Sequence, residues 1–414
     1  MQPVAHNPIR KSPLQPASAP RRRIDASPKS NKSRVFSADA IRSDASMRRH
    51  PTLRGAINPL TVIPFQTMKI LIATSVTPFV EGGATYIVDS LAQQLETRAH
   101  EVEILRFPLS EKYPELLDQL LAFRLMDLTQ HGDRLISIRT PAHLLKHPRK
   151  VVWFIHHYRG AYDLWGTKYQ GIPDTPEGAA YRDAIIAADN VGLREAAGLF
   201  CNSIVVRDRL KKFNDVDAEV LYPPLSDPER FYSDGGGDYL LYFARLTHHK
   251  RQWLAIESLR YTHSPVRLVI AGCPDPGEEP YVDDLRRSIE KYGLGRRVSL
   301  MSQWVTEAQK VDLFARCLGV VYFPFDEDSY GYPSLEAHAA RKPVLTTTDS
   351  GGTVELVVNR RNGFVTPADP ELIARAMDDL YQDQGQARRM GEAGTQRVQE
   401  LGIHWDRVIA RLLA

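Results

Sequence analysis

The chain has 414 residues, 43% hydrophobic and 25% charged, which exceeds the usual size of one core, so two domains are expected. Its formal charge of +3 divides unevenly: residues 1–67 hold twelve Lys and Arg against three acids, net +9, which leaves the body at −6. An acidic body lacks the footprint of a nucleic-acid binder, three cysteines without paired spacing (Cys201, Cys273 and Cys317) argue against a disulfide framework and for a reducing compartment, and no apolar run approaches the ~18–20 residues that span a bilayer.

Residues 1–67 are rich in Pro, Ser and Arg without apolar period, a composition that reads as a disordered tail. An acid-poor, Arg- and Ser-rich start also fits a transit peptide, and its charge fits an anionic membrane surface. Met68 opens "MKILIATSVTPF", which reads as a natural start, so the preferred reading of the upstream part is a mis-assigned extension. From there, β-rich runs ("KILIAT", "VEILRF", "RLISIR", "VVWFIH", "GLFCNS", "AEVLYPP") alternate with segments of helical period. In "ATYIVDSLAQQLETR", Ile87, Leu91 and Leu95 fall on one helix face. Tyr222 to Asp238, "YPPLSDPERFYSDGGGD", reads as a linker. A second series follows: "YLLYFAR", "VRLVIAG", "RVSLMS", "GVVYFPF", "PVLTTT", "GFVTP". The expectation is two α/β domains of Rossmann type, each a doubly wound parallel sheet, covering 68–225 and 226–400, with 401–414 as a terminal helix. Ligands bind such sheets at the carboxyl ends of the strands, so two domains make a cleft.

Four stretches stand at those ends. Gly82 and Gly83 precede a helix, whose free N–H groups suit a phosphate, although a Gly pair there is more often a plain turn and the G-x-G-x-x-G fingerprint is absent. Arg245 and Lys250 follow the first strand of the second domain and suit a diphosphate; the competing reading is a solvated basic loop with His248, His249 and Arg251. The His pair has no Cys or carboxylate at ligand spacing, so no metal site is expected. In "DEDSYGYPSLE", Asp328 lies in a loop and Glu336 early in the next helix, each able to accept two vicinal hydroxyls, while Asp326 and Glu327 read as solvated. Ser350, Gly351 and Gly352 precede a helix holding Glu355, a second backbone donor site or an ordinary turn.

In order, Gly-Gly, R-x₄-K, an acid-x₇-Glu element with Gly331 inside it, then S-G-G-x-x-E and "NGFVTPADP" resemble the family-4 retaining glycosyltransferases of the GT-B fold, from Met68 to Ala414. The resemblance implies a hexosyltransferase-type enzyme (EC 2.4) that moves a sugar from a nucleoside-diphosphate-sugar to an acceptor hydroxyl in glycan, lipopolysaccharide or glycoconjugate synthesis. It implies no cofactor or metal. Glu336 would hold ribose hydroxyls and Asp328 the donor sugar. Arg245 and Lys250 would neutralise the diphosphate, assisted by N–H groups at Gly83, and the "HWDRVIARLL" helix would return to the first domain. The family's first acid is usually Glu; Asp328 is a methylene shorter, which leaves the donor sugar open. "VVWFIHHYRGAYDLWGTKYQG" resembles a subset of the family. There His156 would meet donor sugar or acceptor, or be satisfied locally, Arg159 and Asp163 would stand on the acceptor side, and Tyr158, Tyr162 and Trp165 would stack a sugar or fill core. The expected partners are the donor and a glycan, lipid-linked or small-molecule acceptor, in the cytoplasm with peripheral contact at the inner membrane face. The alternatives are a GT-B sugar-nucleotide epimerase or phosphorylase, an inactive sugar-nucleotide-binding module, and a nicotinamide oxidoreductase, which would lack its fingerprint.

Overall fold

A computed structural model describes residues 67–78, 82–167 and 170–414; the readings of the first 66 residues lie outside it. All twelve apolar runs are strands. The first six, β1 (Lys69–Val76), β2 (Glu101–Pro108), β3 (Arg134–Ser137), β4 (Lys150–Phe154), β5 (Gly198–Cys201) and β6 (Glu219–Val220), form one sheet in the order β2-β1-β3-β4-β5-β6. The second six, β7 (Tyr239–Phe243), β8 (Arg267–Ala271), β9 (Val298–Met301), β10 (Gly319–Val321), β11 (Val344–Thr347) and β12 (Gly363–Thr366), form another in the order β12-β11-β10-β7-β8-β9. Every pairing is parallel.

The pattern follows from burial on both faces. Ile70 through Ser75 of β1 are all buried, as sheets covered by helices on each side require. The helix Gly83–Glu96 turns Ile87, Leu91 and Leu95 into the core, with Val88 beside them. In each sheet the first strand has neighbours that run off in opposite directions, β1 between β2 and β3, and β7 between β8 and β10. These are the switch points where the following loops part and leave a crevice.

The segment from Tyr222 to Asp238 joins the sheets without being loose: Tyr222, Leu225 and Phe231 are buried, and Phe231 meets Phe314 edge-on at 5.7 Å. The last helix, Trp405–Leu413, sets Trp405, Val408, Ile409 and Leu412 into the core beneath the first sheet, with Ile70, Ile136 and Trp153. Trp405 Nε1 donates to Leu225 O at 2.8 Å. Among the described residues no helix is long and apolar enough to cross a membrane.

Candidate active site

The loops that leave β1, β4, β7 and β10 surround a cavity of about 520 Å³. Its wall contains Gly82, Gly83, His156 and Arg159 from the first domain, and Arg245, Lys250, Asp328 and Gly331 from the second. Glu336, Gly351 and Gly352 do not reach that wall, nor do Asp163, Tyr158, Tyr162, Trp165 or Glu355.

At the first-domain mouth, the helix that follows β1 makes its first internal bond at Tyr86 N, to Gly82 O at 3.1 Å. The N–H groups of Gly83, Ala84 and Thr85 precede it, and Gly82 provides no side-chain cap, so a helix N-terminus whose donors have no partner among the described residues faces the space. Among the described residues the protein does not force glycine here: a Cβ on Gly82 would meet nothing within 4 Å, and one on Gly83 would touch the Tyr332 ring at 3.7 Å. Gly82 is the helix N-cap, a position that favours glycine, and the two bare backbones leave room on the cavity side.

Across the cavity, Lys250 closes a short 3₁₀ turn after β7 and is buried. Its ammonium donates to Tyr322 Oη at 2.9 Å and pairs with Glu327; of three N–H donors, one is left for a ligand. Arg245, more exposed, is held by Asp275 at 2.6 Å through one Nη and keeps its other donors. His249 is no part of a cationic loop: burial, helped by Lys250, lowers its pKa to about 4, so it is neutral at pH 7. Arg251 is not solvated either. It binds Asp349 with both Nη atoms at 2.8 Å and donates to Phe323 O at 2.7 Å and Pro324 O at 2.9 Å. One buried guanidinium thereby staples the loops after β7, β10 and β11 together.

The expectation that Asp326 and Glu327 are solvated is wrong. Asp326 bonds Arg159 at 2.7 Å and Arg209 at 2.8 Å, and Glu327 is the partner of Lys250. Burial would raise the Glu327 carboxyl, but the Lys250 charge and hydrogen bond bring it below the ordinary value. Asp328 pairs with Arg209, which reaches it from helix Ile204–Asn214 of the first domain. Here burial prevails: the carboxyl is raised, against the opposing effects of His156, Arg209 and Arg159. Asp163 is drawn into the same network, 2.5 Å from Arg159 and 3.4 Å from Arg209. His156 Nδ1 lies 2.9 Å from His157 O; a carbonyl only accepts, so Nδ1 carries the proton, and Nε2 has no partner among the described residues.

Glu336 sits on the second turn of helix Tyr332–Ala339, 2.9 Å from Lys310, with its carboxyl raised because burial outweighs the lysine. Gly351 and Gly352 lie beneath the acidic loop: Gly352 N donates to Glu327 O at 2.8 Å, and with Gly351 at φ +60° its Cβ would stand 2.2 Å from Glu327 O. These glycines let one backbone rest on another rather than offering open donors. Glu355 caps the first domain's helix, accepting from Ile204 N at 2.8 Å and Val205 N at 3.0 Å. Tyr162 is core, bonded to Asp189 at 2.5 Å, and Tyr158 and Trp165 pack half-buried beside it.

Three contributors were missed from sequence. Arg139 and Asn202 line the cavity, both just beyond strands, and the carboxyl-end rule applied to "RLISIR" and "GLFCNS" would have found them. Arg209 is one cation among several on a polar helix, and nothing local marks it.

The sequence model described as Glycosyl transferases group 1 matches residues 227–397. A mouse protein named "Alpha-1,3/1,6-mannosyltransferase ALG2" is 27% identical over 217 residues, 47% of this chain and 52% of that one. The chain thus spans about half the length of this curated relative, and less of the next two. Among solved structures, Anabaena Alr3699/HepE in complex with UDP and glucose superposes with a TM-score of 0.61 at 19% identity, covering 84% of this chain and 99% of that one. The sucrose-phosphate synthase of Thermosynechococcus elongatus gives 0.63 at 17%, covering 83% and 96%. The fold is GT-B: two Rossmann-like domains that face each other across the cavity.

Proposed function

We propose that the protein is a retaining glycosyltransferase of hexosyltransferase type, moving a sugar from a nucleoside-diphosphate-sugar to an acceptor hydroxyl in glycan or glycoconjugate synthesis. The observation that carries this is the convergence, on one cavity, of open helix N–H groups at Gly83, two cations at Arg245 and Lys250, and a carboxylate at Asp328. The resemblance of the ordered motifs and the match to the family model support the same reading.

The demanding event is departure of the diphosphate from an anomeric carbon that gains positive character. Arg245, the remaining N–H of Lys250 and the amides at Gly83 stabilise the charge growing on the leaving phosphate, in a site fixed before the reaction. Asp328 accepts hydroxyls of the transferred sugar, and Nε2 of His156 faces sugar or acceptor. The first domain presents the acceptor and the second the donor, without metal. Ribose hydroxyls fall to Glu336, one of whose carboxylate oxygens pairs with Lys310.

Thermal unfolding of the full chain with UDP, GDP, ADP and NAD tests this. A ligand at about 100 times its Kd stabilises by roughly 2.7 kcal/mol. One nucleoside diphosphate should raise the midpoint, and Arg245→Ala should reduce that shift. Stabilisation by NAD alone would overturn the proposal.

A further inference from the structure

Asn202 follows β5 on the first-domain wall. Its backbone N donates to Phe154 O at 3.2 Å, which ties it to the end of the strand that carries His156. The next residue, Ser203, accepts from Val206 N at 3.0 Å as the cap of helix Ile204–Asn214 and donates across the cleft to the backbone carbonyl of Asp328. Asn202 is therefore held rigidly between the His156 strand and the Asp328 loop, and it lines the same cavity as both.

Its carboxamide is unpaired, whereas Arg139 on the same wall, though its buried Nε lacks a partner among the described residues, reaches Glu111 through Nη2. Asn202 is 5% exposed, and among the described residues neither its buried Oδ1 nor its Nδ2 has a hydrogen-bond partner. Buried amides are ordinarily paired with protein groups or water; one that faces a cavity without a protein partner is free to pair with what enters it. An amide offers one acceptor and two donors in a plane, whichever way it is turned, a pattern that fits neighbouring hydroxyls. On the Asn202 wall the cations Arg139 and Arg159 are engaged by Glu111, Asp163 and Asp326, whereas Arg245 and Lys250, which keep donors for a phosphate, come from the opposite, second-domain wall.

We propose that Asn202 is a specificity-determining residue that hydrogen-bonds hydroxyls of the transferred sugar from the first-domain wall while Asp328 holds others from the second. This rests on the donor-binding reading above. The test is calorimetric titration of the full chain, wild type, Asn202→Ala and Asn202→Ser, with UDP, UDP-glucose, GDP, GDP-mannose, ADP and ADP-glucose. The bare diphosphate should bind all three proteins within about twofold, which also shows that the variants fold. The extra affinity conferred by the sugar should fall roughly threefold to tenfold in the Ala variant, the loss of about one hydrogen bond, and less in Ser. A wild type that binds diphosphate and sugar-diphosphate alike, or an Ala variant that keeps the full gain, would overturn the inference and leave the donor reading standing. No binding of any of the six would overturn the donor reading and this inference with it.

Discussion

Lys250 serves its neighbours as well as the proposed diphosphate. Its removal strands Glu327 in a half-buried site, at a cost of about 2 kcal/mol, between the exposed and fully buried cases. Lys250→Met should show that loss in denaturant unfolding; adding Glu327→Gln should recover most of the stability but none of the donor turnover. The two carboxyls titrate oppositely. Glu327, depressed by Lys250 against its burial, stabilises the fold at pH above its unfolded value, and that contribution disappears as pH falls through the lower folded value. Asp328, raised chiefly by burial, costs stability as pH rises past its unfolded value, and it loses its carboxylate at a higher pH than an ordinary Asp. Affinity for the sugar part of the donor should therefore fall with acid through a midpoint above the usual Asp range. Arg209→Ala should move that midpoint higher still; a midpoint that stays put would show that Arg209 does not govern the carboxyl. That Arg245, Lys250 and Asp328 line the cavity was legible because they follow strand ends, whereas Glu336 and Glu355, read the same way, do not reach its wall. The state of Asp326 and Glu327 was not legible, because their partners lie 167 and 77 residues away.

The acidic loop is shaped from outside itself. Arg251 grips it from one side, and the Ser350–Gly352 turn supports it from below. A Cβ at Gly351 would meet the Glu327 backbone while φ stays positive, so Gly351→Ala should cost roughly 1–3 kcal/mol of strain. Thermal unfolding should show that loss, and titration should show weakened sugar-diphosphate binding, since the loop carries Asp328. Gly331 is equally constrained, at φ +69° with its Cβ position 2.3 Å from the Tyr322 ring. The sequence displayed these glycines but not their purpose, because a glycine that admits a ligand and one that admits a neighbouring loop look the same when read singly.

At the scale of the molecule, the two sheets were readable because strands buried on both faces write uninterrupted apolar runs. The seam between them was hidden, since it is built from pairings such as Glu355 with helix Ile204–Asn214 and Arg209 with Asp328. The last helix is part of that seam's frame. Trp405→Ala removes a buried indole and its bond to Leu225 O, and should destabilise the chain by about 3–5 kcal/mol in chemical unfolding. The central claim is that this cleft stabilises a departing nucleoside diphosphate. The direct measurement is release of diphosphate from the sugar nucleotide selected by the binding panel, with water or added sugars as acceptor, for the wild type, Arg245→Ala and Lys250→Ala. Release by the wild type, slowed on the order of 10²–10³-fold in each variant, is the predicted result. Conversion of the sugar nucleotide to an isomer with its diphosphate bond intact, or release that the variants do not slow, would contradict it.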